Sequence, residues 1–147
     1  MEISKAELKD IPALCELLGI LFMQEADFTP DADKQAEGLK QIISDPSAGF
    51  IVKAEDNGKI LGMVNILYTV STFLGGRAAI LEDMVVLPEM RGKEVGSLII
   101  QKAEELAKEA GCMRITLLTD SDNTGGQRFY RRQGYSLSPM VPMRKML

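Results

Sequence analysis

The sequence predicts an α/β chain of the α+β kind, with elements in the order β-α-α-β-β-β-α-β-α-β forming one domain over residues 1–147. Three observations carry that prediction. The chain has 147 residues, 46% of them apolar, which is enough to bury one good core and too few for two ordinary ones. Asp56-Asn57-Gly58 lies between two β-rich apolar runs, Phe50-Ile51-Val52 and Ile60 to Val70, and Asn-Gly tolerates the positive φ of a tight hairpin turn. In LEDMVVLPEMRGKEVGS, Leu81 to Ser97, an apolar strand reaches Pro88 and passes through a short loop. It then enters helical spacing at Val95, Leu98, Ile99, Ala103, Leu106 and Ala107.

The remaining elements follow from spacing and punctuation. Ile3 and its neighbours start a short strand, and Leu8, Ile11, Leu14, Leu17, Leu18, Leu21 and Phe22 make a first amphipathic helix. Asp27-Phe28-Thr29-Pro30-Asp31 breaks it with turn chemistry, and a second helix runs from about Asp33 to Ile43 before Asp45-Pro46. Gly75-Gly76 leads into a strand over Ala78 to Leu87, and the following helix closes at Gly111. Arg114 to Thr119 is a further strand. Asp120-Ser121-Asp122-Asn123 is a polar turn whose last residue can cap a helix carrying Phe129 and Tyr130 up to Gly134. Tyr135 to Met146 reads as terminal strands, with Pro139 and Pro142 at edges or bends.

Composition removes several chemistries. There is no histidine, which excludes Ser-His and Cys-His nucleophile pairs, imidazole bases and histidine-ligated zinc. No metal is expected, and acid-base work falls to carboxylates, Tyr, Lys, Cys or water. A net charge of −4 without a dense basic stripe disfavours nucleic acid as a partner and suits a cationic substrate. Neither a membrane span nor a secretory signal is readable, so a cytoplasmic protein is expected. Cys15 and Cys112 are too scattered to suggest a disulfide and read as reduced, buried thiols. The apolar residues around Pro139, Met140, Val141, Pro142, Met143 and Met146 exceed what one core explains and point to a homodimer.

The loop between the strand and the helix is the chemical signal. A helix start offers N–H groups without intrahelical acceptors and the positive end of a dipole, so small residues there admit a phosphate. GxxxxGK[ST] and GxGxxG are both absent, since Glu94 stands between the glycines, and neither a P-loop nor a dinucleotide fold is supported. A ligand-free turn is the plain alternative. Glu82 and Asp83 are adjacent on the strand before the loop, so alternation points them to opposite faces and puts Glu82 with Met84 and Val86. Glu82 is therefore first choice as a general base, with Asp83 in reserve, and a polar edge or salt bridge is the plain alternative.

Arg91-Gly92-Lys93-Glu94-Val95-Gly96 resembles the (R/Q)xxGx(G/A) signature of the GNAT superfamily of acetyl-coenzyme-A-dependent N-acetyltransferases, except that Glu94 replaces the first glycine. Asn123, Gly126, Phe129 and Tyr130, followed by Gly134-Tyr135, resemble its second signature, Asn-x-x-Ala-x-x-Phe-Tyr ending in Gly-Phe or Gly-Tyr. The resemblance covers nearly the whole chain. It implies a mixed, mostly antiparallel sheet of six to seven strands, splayed at its centre and flanked by about four helices. It further implies an acyltransferase moving an acetyl group from acetyl-coenzyme A to a primary amine, on a small molecule or a protein, by direct transfer in a ternary complex.

The resemblance also distributes roles. Arg91, Gly92, Lys93, Glu94, Val95, Gly96 and Ser97 surround the coenzyme diphosphate, and Met84 and Val86 pair with the pantetheine arm through their backbone. A backbone N–H near Val85 faces the developing oxyanion. Asn123, Gly126 and Phe129 complete the coenzyme site, and Tyr130 protonates the leaving thiolate. Acceptor binding falls to Phe22, Glu25, Asp27, Phe28, Tyr68 and Thr72. The Glu94 carboxylate repels a diphosphate. It motivates the alternative of a non-catalytic acyl-coenzyme A binding module with the same fold.

Overall fold

The computed structural model describes residues 1–24 and 30–147. The strands are β1 (Glu2–Lys5), β2 (Gly49–Asp56), β3 (Lys59–Ser71), β4 (Gly76–Val86) and β5 (Ile115–Leu117), and the helices are α1 (Ile11–Gln24), α2 (Ala32–Ser44), α3 (Val95–Glu109) and α4 (Thr124–Arg132). Short 3₁₀ turns occupy Leu8–Asp10 and Pro88–Met90. The chain divides into two compact units, Met1–Leu117 and Leu118–Leu147.

In the first unit the strands lie in the order β1-β2-β3-β4-β5, antiparallel from β1 to β4, with β5 parallel to β4. A parallel step needs a crossover, and α3 supplies it. The hairpin turn forms where Asn-Gly predicts it, with φ of 50° at Asn57 and 78° at Gly58. β2 and the first half of β3 are buried almost continuously, the pattern of strands covered on both faces. α3 packs on β2 and β3, while Met63 and Ile51 belong to a cluster with Leu14, Leu17 and Leu18 of α1 and Leu39 of α2. A leucine or isoleucine so buried contributes about 1.5–3 kcal/mol, and the sum fixes the sheet that carries the site.

A partly buried ion triad ties the 3₁₀ turn before α1 to this sheet. Lys53 Nζ lies 2.9 Å from Asp10 Oδ2 and 2.7 Å from Glu55 Oε1, and Asp10 Oδ2 also accepts the Glu7 amide at 2.7 Å.

Three expectations are corrected. The sheet has five strands among the described residues, not six to seven. No strand forms beyond α4, where the terminal strands were expected; Met140, Val141, Met143, Met146 and Leu147 are all strongly exposed. Pro139 and Pro142 lack the N–H that a strand ladder uses, and the residues between them offer too little continuous donor pattern to pair. Cys15 and Cys112 are free and half-buried, not fully buried as the sequence leads one to expect.

Candidate active site

The strand that precedes the loop is not regular. Register sets Met63 against Val85 and Asn65 against Glu82, so Asp83 and Met84 together oppose the single residue Val64. This is a β-bulge, and Asp83 takes a left-handed conformation there with φ of 54°. Strict alternation therefore fails: across the bulge Glu82 shares a register face with Val85, not with Met84 and Val86, which corrects the face expected from spacing. Glu82 is exposed, while Asp83 is half-buried.

Asp83 is held by a named partner. Asn65, 3% exposed, donates from Nδ2 to Asp83 Oδ2 at 2.6 Å. Burial pushes the Asp83 carboxyl up, the neighbouring Glu82 charge adds to this, and the Asn65 hydrogen bond opposes both, leaving it at about 6. A carboxyl at that position accepts a proton near neutral pH far better than an ordinary aspartate. A strained backbone that presents a perturbed carboxyl is the combination found where chemistry is done.

The loop after β4 leads into the N-terminus of α3. Gly92 has φ of 75° and Glu94 has φ of 66°, so the chain turns twice through the left-handed region before α3 begins. Glu94 is the N-cap residue of α3, and its side chain makes no capping bond. Leu98 N donates to Glu94 O at 3.1 Å as the first helical bond, and the amides of Val95 and Gly96 at the helix start have no carbonyl within the helix to bond. Arg91 Nε donates to Val86 O at 3.3 Å, which anchors the loop to the strand end. A Cβ on Gly92 would meet nothing within 4 Å, so the loop faces open space. Donor chemistry and room both suit a diphosphate, with the Glu94 carboxylate as the unfavourable member.

In the second unit Asn123 caps α4. Its Oδ1 accepts Gly126 N at 3.0 Å and its Nδ2 donates to Thr119 Oγ1 at 3.4 Å. A Cβ on Gly126 would meet that side chain, with the Asn123 Cγ at 2.9 Å, so an alanine here requires the Asn123 side chain to shift. Phe129 and Tyr130 stack with ring centroids 5.3 Å apart, and Tyr135 meets Tyr130 edge-on at 6.1 Å. The half-buried Tyr130 ring is thus set by aromatic neighbours. Thr124, Gln127, Arg128 and Arg131 line a groove of about 440 Å³ on α4.

The acceptor candidates are dispersed. Phe22 packs against the core cluster from α1. Tyr68 lies edge-on to Phe50, with centroids 6.0 Å apart, and under the Arg77 guanidinium at 4.4 Å. Thr72 is exposed in the β3–β4 turn, beyond Ser71, which is roughly 20 Å along the strand from Asn65. Glu25, Asp27 and Phe28 lie outside the described residues. Asn65 escaped the sequence reading, although a lone amide in the apolar run from Ile60 to Val70 is a visible signal.

The chain matches the acetyltransferase (GNAT) family over residues 11–135, and it belongs to that family as an acyltransferase. It is 29% identical over 137 residues to the aminoalkylphosphonate N-acetyltransferase of Salmonella typhimurium, covering 93% of this chain and 86% of that one. It is 27% identical over 138 residues to the glucosamine 6-phosphate N-acetyltransferase of Arabidopsis thaliana, covering 92% and 89%. A predicted acetyltransferase from Clostridium acetobutylicum, solved with acetyl-CoA, shares the fold with a TM-score of 0.83 at 18% identity over 98% of this chain and 95% of that one. The family uses acetyl-coenzyme A as its cosubstrate.

Proposed function

We propose that this protein transfers an acetyl group from acetyl-coenzyme A to the primary amine of a small molecule, with Asp83 as the general base. Bound acetyl-coenzyme A supplies an activated acyl carbon and a thiolate leaving group. Arg91, Gly92, Lys93, Val95, Gly96 and Ser97 would hold its diphosphate, and the backbone of Met84 and Val86 its pantetheine arm. Asp83 takes the proton of the ammonium, directly or through water, and a backbone N–H near Val85 faces the carbonyl oxygen as charge develops. Tyr130 gives its phenolic proton to the thiolate.

The observation that carries this reading is the bulge itself. It sets a half-buried carboxyl, raised to about 6 and hydrogen-bonded to Asn65, a few residues before the loop that would hold the diphosphate. Glu82 is exposed, so the reserve residue is preferred to the first choice. The relatives' names supply the acceptor class: aminoalkylphosphonate and glucosamine 6-phosphate each join an amine to a phosphorus oxyanion. Thiol release from acetyl-coenzyme A, measured over a panel of aminoalkylphosphonates, amino-sugar phosphates and plain amines, tests the assignment. Turnover of a phosphorus-bearing amine is expected. Release with none of the panel, although acetyl-coenzyme A raises the melting temperature, would favour the non-catalytic module instead.

A further inference from the structure

Asn65 occupies a place in β3 where an apolar side chain is the ordinary choice, between Val64 and Ile66, both fully buried. Its amide is used on one side only. Nδ2 donates to Asp83 Oδ2 at 2.6 Å, whereas Oδ1 is buried and has no hydrogen-bond partner. A bare buried acceptor is costly, so a side chain kept in this state needs a donor at some stage. An ionised carboxylate can only accept, but a carboxylic acid also donates. Asp83 gains, on protonation, a donor that Asn65 Oδ1 can accept once the amide has turned, Nδ2 then taking the position that Oδ1 leaves.

We propose that Asn65 is a positioning residue for proton transfer: its amide donates to Asp83 while that group is ionised, and turns over to accept from the Asp83 hydroxyl once the group has taken the amine's proton. The inference rests on the reading of Asp83 as the base. The step balances. The ammonium N–H bond breaks, its electron pair stays on nitrogen as the attacking lone pair, and the proton bonds to a carboxylate oxygen of Asp83. The new O–H then donates to Asn65 Oδ1, and the proton later leaves to solvent. Turning the amide exchanges N and O in nearly the same volume, so the packed strand need not open.

Among the described residues, Glu82, from the same strand, is the charged group that acts on Asp83, and Asn65 donates to it from β3. On α1, which packs against β4, Glu16 is exposed and the Cys15 thiol donates to the Ala32 carbonyl at 3.9 Å; neither contributes to the Asp83 titration. The left-handed backbone at Asp83 fixes its carboxyl against β3, so a change in protonation is met by the amide and not by a rotation of the strand.

Side-chain amide NMR of Asn65 in the unliganded wild-type protein tests this without a substrate. Its NH₂ signals are expected to shift with the midpoint of the Asp83 carboxyl carbon, and the response is expected to vanish in Asp83→Asn. In Asn65→Leu, loss of the bond to the charged form is expected to raise the Asp83 midpoint by about one pH unit, and the acidic limb of kcat/KM with it. An amide that stays silent through the Asp83 titration overturns the proposal, whether or not Asn65→Leu folds. A midpoint that moves in Asn65→Leu while the kinetic limb stays still removes Asp83 as the base, and Asn65 from the reaction with it.

Discussion

Glu94→Gly separates the two burdens that this residue places on the coenzyme loop. Glu94 has φ of 66° at the N-cap of α3, and its side chain makes no capping bond that would justify the conformation. A side chain in the left-handed region costs about 1–2 kcal/mol, and glycine returns about 0.5–1 kcal/mol of that through its freer unfolded chain. Glu94→Ala is the control, because it loses the same carboxylate and keeps the strain. The glycine variant is therefore expected to be more stable than the alanine variant by about 1 kcal/mol, or about 2–4 °C in Tm. Equal melting temperatures would refute the strain. The charge is read in the same pair by calorimetry with acetyl-coenzyme A. A like charge about 4 Å from a phosphate costs about 1 kcal/mol in water, so both variants should bind roughly fivefold tighter than wild type, with the gain shrinking as salt is added. Unchanged affinity in both variants would place the diphosphate away from this loop.

Three further outcomes are expected. Lys53→Met leaves Asp10 buried without its counter-ion and should cost about 3–5 kcal/mol, on the order of 10 °C by calorimetry. Burial lowers the Lys53 ammonium, but its bonds to Glu55 and Asp10 win and raise it above 10.5. The triad's stabilisation is then complete below pH 10.5 and lost as pH rises beyond it; a wild-type melting temperature flat through that range contradicts this. Tyr130→Phe keeps the ring against Phe129 and Tyr135 and loses the proton, so coenzyme binding should persist while kcat falls about 10²-fold; near-full kcat assigns the proton to water. Light scattering should give a dimer mass for the intact chain and a monomer for a chain ending at residue 136, because the exposed Met140, Val141, Met143 and Met146 are the apolar surface in question.

The legible parts of this chain were those fixed by local chemistry. Asn57-Gly58 specifies its turn, Asn123 its cap, and the spacing of Leu14, Leu17 and Leu18 the buried stripe of α1. The bulge was not legible, because an extra residue in β4 shows only against its partner: Leu81 to Val86 alternates plausibly until Val64 is seen to face two residues. The choice between Glu82 and Asp83 turns on that bulge, since the two differ in burial and not in local sequence signal. Glu94 and Gly126 looked like departures from a pattern on charge and propensity alone. In the structure one is a left-handed residue and the other donates its amide to the Asn123 cap. The tail was misread because apolar composition does not say whether its partner lies in the same chain.

The central claim is that Asp83, raised by burial at the bulge, is the base for acetyl transfer, and the pH dependence of kcat/KM tests it most directly. With a turned-over amine, wild type should lose activity as pH falls through an acidic limb near pH 6, the position of the Asp83 carboxyl. Asp83→Asn, which tolerates the left-handed backbone, should lose that limb and about 10²–10⁴-fold in rate, while Glu82→Gln keeps the limb. A wild-type limb that survives in Asp83→Asn at near-full rate, or disappears in Glu82→Gln, would contradict it.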